Sequence, residues 1–277
     1  MADKTKELEE IKGSNALIPW EQEMERDAQK AAEMEKNTGG GNFFSLKAGV
    51  LAFNGAAMPG NQIGAIILDT VMENVFYEGA YDPDQTSPPT CFAFGRSDET
   101  IAPHETVVAR DQAQHETCAG CPMNAWGSAD KGKGKACSNR RRLALIAAGE
   151  WAKDGTFTAY DDPKHFTKTD IGMMKLPTMS LAGYATFVKQ VAGALKRPPY
   201  GIFTRISVAP DPKSQFRVHF EPIANVPNEI MPIIMQRRQE AMLSIEQPYN
   251  LDGAEAPEAK KAEPAKKRPE VKKPKKY

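Results

Sequence analysis

Along the 277 residues, apolar and polar positions follow the periods of strands in the first half and of helix and strands in the second. Phe43 to Phe53 has strand composition, and Asn54-Gly55 and Pro59-Gly60 behind it are turn signals. Ile63 to Tyr77 opens on the apolar run Ile66-Ile67-Leu68 and closes on Val75-Phe76-Tyr77, which predicts one long strand with a bulge near Glu73-Asn74. The turn-rich stretch Tyr81 to Pro89 leads into a short strand, Thr90 to Phe94. Arg142 to Ala147 and Thr156 to Tyr160 are further strand candidates around a turn region from Gly149 to Gly155. The first of them is also compatible with a short helix, because Leu and Ala do not discriminate. Leu181 to Leu195 is the clearest helix, with Leu181, Tyr184, Val188, Val191 and Leu195 on one face. Ser180 precedes it as an N-cap, and Pro198-Pro199 ends it. Ile202 to Val208 and Gln215 to Phe220 then alternate as strands, with Phe216, Val218 and Phe220 on one side and Arg217 and His219 on the other. A last helix, about residues 228–247, carries Arg237 and Arg238 and stops at Pro248.

Strands, then a helix, then two strands is the succession of the five-stranded OB barrel. The pattern therefore predicts an α+β chain, mainly β with α. Its centre is an OB-like five-stranded barrel carrying a four-cysteine metal-binding insertion, flanked by helices and disordered termini. Residues 1–41 read as an acidic flexible arm, with a helix over Trp20 to Lys36 ended by Gly39-Gly40-Gly41. Residues 42–251 form the core, with a cysteine loop at 91–142. Residues 252–277 are Ala, Glu, Lys and Pro with almost no hydrophobics, the composition of a disordered basic tail.

Charge sharpens this division. The total is zero, but residues 1–40 hold ten acids and six bases, and residues 254–277 hold four acids and nine bases. An acidic head and a basic tail point to nucleic acid or another anionic partner. Met1 to Lys6 leads into charged sequence without an apolar core, and no run is long enough to span a bilayer, so a cytoplasmic location is expected. In a reducing compartment, clustered cysteines suggest a metal before disulfides.

All four cysteines, Cys91, Cys118, Cys121 and Cys137, fall in one segment. Cys118-Ala-Gly-Cys121 has the spacing that supplies two ligands from one tight turn, and Cys137 and Cys91 complete a four-thiolate set for a structural zinc. His104 and His115 leave open a set of three cysteines and one histidine, and Cys121-Pro122 leaves a [4Fe–4S] cluster open as the lesser reading. From Asp130 to Arg142 lie six cations, Lys131, Lys133, Lys135, Arg140, Arg141 and Arg142, against one carboxylate, Asp130. Gly residues alternate with the lysines, in an order unlike a phosphate-binding P-loop. Alternation lets the backbone approach a phosphodiester while each cation neutralises a phosphate. Trp126, set among Gly, Ser, Asn and Lys, is the candidate base-stacking residue, whereas Phe92 and Phe94 taken singly read as core. His165 and His219 stand alone and read as structural. A nucleophile elbow, a paired-carboxylate motif, a dinucleotide fingerprint and the zinc-deaminase signature are all missing from the sequence.

The run Tyr77-Glu-Gly-Ala-Tyr81-Asp-Pro-Asp, then Pro88-Pro89-Thr-Cys91, then Cys118-x-x-Cys121-Pro-Met-Asn124-x-Trp126-Gly-Ser128, and the Gly-Lys-Gly-Lys-Ala-Cys137 and Arg-Arg-Leu that follow, resembles phage-type single-stranded DNA-binding proteins of replication and recombination. The resemblance spans about residues 43–245 and implies an OB core with a zinc in the DNA-binding domain. One departure stands out: such proteins usually end in an acidic, partner-recruiting tail, whereas this chain ends Lys272-Lys273-Pro274-Lys275-Lys276-Tyr277. The expectation is a non-enzymatic protein that binds single-stranded DNA with little sequence preference. Cys91, Cys118, Cys121 and Cys137 would hold the metal. Trp126, Lys131, Lys133, Lys135, Arg140, Arg141 and Arg142 would meet DNA. Other replication proteins would engage the charged termini. The competing readings are a metal- or iron–sulfur-dependent enzyme acting on nucleic acid, and a protein-binding adaptor.

Overall fold

The computed structural model describes residues 42–79, 88–130, 132–152 and 154–251, together with Trp20, Glu23, Met24, Arg26 and Asp27, which are helical. The rest of the acidic arm, residues 80–87, where the sequence is turn-rich, and residues 252–277 lie outside the described residues. So do the expected helix end near Lys36 and the expected disorder of both termini. The described residues fall into two compact units, one from residues up to 70 and 141–245, the other from 71–140 and 246–251.

The chain is α+β. Ten strands are described: β1 (Phe43–Ser45), β2 (Ala52–Phe53), β3 (Ala56–Ala57), β4 (Gln62–Phe76), β5 (Cys91–Gly95), β6 (Ser138–Trp151), β7 (Phe157–Ala159), β8 (Gly172–Leu176), β9 (Ile202–Asp211) and β10 (Gln215–Asn225). Four α-helices accompany them: α1 (Glu105–Val108), α2 (Pro163–Lys168), α3 (Leu181–Gln190) and α4 (Met231–Ser244). The ladder order is β10-β9-β4-β6-β8-β1-β2-β3, with β5 added to β4 and β7 added to β6. β1 and β8 run parallel, while β1–β2, β2–β3, β4–β5, β4–β9, β6–β7, β6–β8 and β9–β10 are antiparallel.

This sheet is open, not the closed five-stranded barrel that the element succession suggested. Closure would require its two edges to pair. One edge is β10, eleven residues long, and the other is β3, two residues long, which offers no comparable ladder. The stretch Phe43 to Phe53, read as one strand, is broken by left-handed backbone at Ala48 into β1 and β2, and the turn expected at Asn54-Gly55, both at positive φ, leads into β3. β8 then separates β6 from β1, pairing Met174 with Leu143 on one side and with Phe44 on the other.

In the first unit, α3 lays Tyr184 and Phe187 against Ile63, Ile67, Leu143, Ile206 and Val218, with Val191 just beyond in the π-helical turn Val191–Leu195. Of the face that the spacing marks, Tyr184 and Val191 are buried, Leu181 and Val188 are partly buried against the same core, and Leu195 is exposed, while Phe187, off that stripe, is buried as well. Ser180 does not cap α3 through its side chain. It is buried, and its Oγ accepts the Val218 N–H at 3.0 Å, which ties the helix start to β10.

Asn61 fastens the β1–β3 corner. It sits at φ +54°, its Oδ1 accepts the Leu51 N–H at 2.6 Å, and its Nδ2 donates to the carbonyls of Gly49 and Val208, both at 2.8 Å. Asn61→Ala removes three hydrogen bonds and places a side chain without Asn's tolerance in left-handed backbone, an expected loss of about 3 kcal/mol. Urea denaturation should show a lower midpoint at unchanged slope. A midpoint equal to that of the parent chain would contradict this role.

In the second unit, β4 and β5 pair in regular register from Met72 opposite Gly95 to Phe76 opposite Cys91. The bulge expected at Glu73-Asn74 is absent from this ladder. Both polar residues are buried with partners: Glu73 Oε1 accepts the Tyr249 hydroxyl at 2.9 Å, and Asn74 turns toward the cysteines. Phe92 packs with Val75, Val107 and Leu251 and stacks on the His104 ring at 5.1 Å. Phe94 stacks on Tyr249 at 6.4 Å. No helix of the described residues is long and apolar enough to cross a membrane.

Candidate functional site

Local sequence builds the cysteine segment in three steps. Pro122 opens a 3-10 turn, Pro122–Asn124, directly after Cys121. Around it the Cys121 N–H reaches the Cys118 carbonyl at 3.4 Å, the Asn124 N–H reaches the Cys121 carbonyl at 3.0 Å, and Asn124 Nδ2 donates to the Cys118 carbonyl at 2.8 Å. The loop from 125 to 136 then closes on itself. Gly127 and Ala129 N–H groups share the Gly134 carbonyl, and Ser128 Oγ accepts the Ala136 N–H at 2.9 Å. Gly127 and Gly132 stand at φ +85° and +81°, which few side chains tolerate. Finally the Cys137 N–H bonds to the Met123 carbonyl at 2.8 Å, returning the chain to the turn.

The result brings all four cysteines to one cavity with a free volume of ≈ 20 Å³, shared with Asn74, His115 and Asn124. That is room for about one water-sized occupant. No two cysteines are bonded, and Cys91, Cys118 and Cys137 are buried. Burial pushes their thiols up, that of Cys137 to about 12, and the other cysteines add to the rise at each. The Gln114 backbone beside Cys91 and the Asn74 side chain beside Cys118 partly offset that rise. Among the described residues, no three His, Cys, Asp or Glu side chains are placed as a ready ligand set. His104 Nδ1 is taken by the α1 N-cap, where it accepts the Thr106 N–H at 3.2 Å, so it is not aimed at the cavity as a spare ligand. His115 lines the cavity with an exposed ring, its Nδ1 accepting the Thr117 N–H.

The candidate DNA contacts separate. Trp126 is 80 % exposed on the closed loop, with Lys135 Nζ 5.6 Å from its ring centroid. Lys133 is exposed, and Lys131 lies outside the described residues. Lys135 donates to Asn124 Oδ1 at 3.1 Å and Asn139 Oδ1 at 3.0 Å. The three arginines do not form one patch, because successive residues of β6 point to opposite faces. Arg140 Nε donates to Ser138 Oγ, and its charge reaches Tyr77, which is 42 % exposed. Arg141 is half-buried, and its charge reaches the buried Tyr184 phenol. Arg142 is only 1 % exposed and donates to the Ile245 carbonyl at 3.0 Å, capping the end of α4 with a cation. A buried helix cap does not reach a phosphate, so Arg142 is withdrawn as a DNA contact.

Sequence reasoning missed the amides. Asn74, Asn124 and Asn139 are the polar partners of this segment, and the signal was an Asn in the middle of an apolar strand, where such residues are disfavoured. The chain matches no protein-family model, no curated protein and no solved structure.

Proposed function

We propose that the cysteine segment is a single-stranded DNA-binding surface whose loop is held in shape by one metal ion at Cys91, Cys118, Cys121 and Cys137. The observation that carries this is Trp126: a large indole kept 80 % exposed by a loop that is itself closed through hydrogen bonds, with a lysine over its face. An exposed aromatic among cations is the arrangement that stacks bases without reading them. Lys133, Lys135 and Arg140 would meet phosphates, with Lys131 beside them in sequence. Four cysteines with one Cys-x-x-Cys pair are a donor set that suits one structural zinc, and a four-iron cluster is the lesser reading. A place in phage-type replication or recombination, with partner proteins at the charged termini, follows from the resemblance of the cysteine segment.

Binding of a labelled oligo-dT against a duplex of equal length tests this. Trp126→Ala should weaken single-strand binding by about 1–3 kcal/mol, on the order of 5- to 150-fold, at unchanged salt slope. Lys133→Ala should instead lower the slope by about 0.7. A Trp126→Ala chain that binds single strands as the parent does, or a parent that prefers duplex, contradicts the reading.

A further inference from the structure

Lys135 is held in place without being neutralised. Its Nζ donates to Asn124 Oδ1 at 3.1 Å and to Asn139 Oδ1 at 3.0 Å. An ammonium has only donors, so both amides turn their oxygens to it. Their NH₂ groups are anchored in turn. Asn124 Nδ2 donates to the Cys118 carbonyl at 2.8 Å, and Asn139 Nδ2 donates to Asn74 Oδ1 at 2.6 Å. A carboxylate in either place would hold the lysine and cancel its charge, whereas a neutral amide holds it and leaves the charge to an anion. Among the described residues, no carboxylate forms an ion pair with Lys135. Two of its three N–H donors are used, and the third remains for a ligand. The same Nζ stands 5.6 Å from the centroid of the Trp126 ring, which stays 80 % exposed with the lysine in place. Receptors for the two parts of a nucleotide, a flat base and a charged phosphate, therefore lie side by side. Lys133 is exposed too, but no side-chain hydrogen bond holds it among the described residues.

Resting on the DNA reading above, we infer that Trp126 and Lys135 form one preorganised site for a single nucleotide of a DNA strand, with Asn124 and Asn139 as its positioning residues. The base lies on the indole and the phosphate meets the ammonium. Neither amide touches DNA in this scheme. By fixing Lys135 before DNA arrives, they remove the entropy cost of ordering a long side chain on binding. A phosphate held at Lys135 brings its own base to Trp126, so each contact raises the worth of the other. No metal ion enters this site.

The test is a set of double-mutant cycles on the full chain, read as affinity for labelled oligo-dT and as its salt slope. Lys135→Gln should lower the slope by about 0.7, the share of one phosphate. Lys135→Gln and Trp126→Ala together should cost about tenfold less than the product of their separate losses, within the range for residues in contact. Lys133→Ala and Trp126→Ala should simply multiply. Asn139→Ala should weaken binding by about 2- to 10-fold and lower the slope in the parent chain, yet change neither in a Lys135→Gln chain. An Asn139 that merely supported the loop would weaken binding in both. Two results overturn the inference while leaving the proposed function standing. One is that Lys135→Gln and Trp126→Ala multiply as Lys133→Ala does. The other is that Asn139→Ala costs as much without Lys135 as with it. A thermal melt shows whether Asn139→Ala folds; if it does not, the cycle between Trp126 and Lys135, neither of them buried, decides alone. A parent chain that does not bind the single strand, or a Trp126→Ala chain that binds as the parent does, overturns both the site and the proposed function.

Discussion

Replacing Cys118 and Cys121 together with serine is expected to take the chain from one bound zinc to none. The same change should weaken single-strand binding by about a hundredfold or more, since it releases a stacking residue and at least one phosphate contact together. On this reading the two residues would supply both ligands of the tight turn at Pro122, and Cys137 returns the loop to that turn through the Met123 carbonyl. Structural zinc contributes an apparent 10–16 kcal/mol or so in small domains at neutral pH, so its loss outweighs the hydrogen bonds that close the loop. The first unit should keep its thermal transition, because its core around Tyr184, Phe187 and Ile206 contains no cysteine. Zinc content by atomic emission, oligo-dT affinity and a thermal melt check the three parts. A double-serine chain with parental zinc and parental affinity would remove the metal from the account.

Metal affinity should climb steeply with pH. The Cys91, Cys118 and Cys137 thiols are raised above their ordinary value, so at neutral pH all three carry their protons in the metal-free chain. A metal ion binds thiolate, so each of the three must release its proton on binding. Protons and metal therefore compete, and affinity rises as pH rises toward those raised values. Three displaced protons correspond to roughly a thousandfold gain per pH unit near neutrality. Zinc titrations against a chelator at three pH values between about 6.5 and 7.5 measure the slope. A slope near zero would mean that the ion does not sit on these sulfurs.

How much of this was legible depended on how local the signal was. α3 announced itself, because its apolar spacing, Pro198-Pro199 and the core it meets all agree. All four cysteines line one cavity, but among the described residues no three His, Cys, Asp or Glu side chains are placed as a ligand set, so the spacing that suggests a metal site does not by itself carry the coordination geometry. β8 was missed because Gly-Met-Met-Lys-Leu holds no β-branched residue and its partners, β1 and β6, are distant in sequence. Without β8, the succession of strands looks like a barrel, and strand order is a non-local fact that periodicity does not carry. Arg140-Arg141-Arg142 reads by composition as one basic patch, although period two already sends neighbours to opposite faces; the burial of Arg142 depends on where α4 ends, which the local sequence does not show. Asn74 is visible as an oddity in an apolar strand, and the sequence alone suggests a bulge there. Its bond to Asn139, whose Nδ2 donates to Asn74 Oδ1, and its place beside the cysteines needed the fold.

The measurement that bears most directly on the account is fluorescence anisotropy of a labelled ~30-nucleotide oligo-dT, long enough for more than one site of about 4–16 nucleotides. It is titrated with zinc-loaded and zinc-stripped chain at several salt concentrations and repeated with duplex. Zinc-loaded protein should bind the single strand tightly and the duplex weakly, with affinity falling steeply as salt rises, and stripping the zinc should weaken it. Zinc-loaded protein that fails to bind the single strand at low salt would contradict the account at its centre.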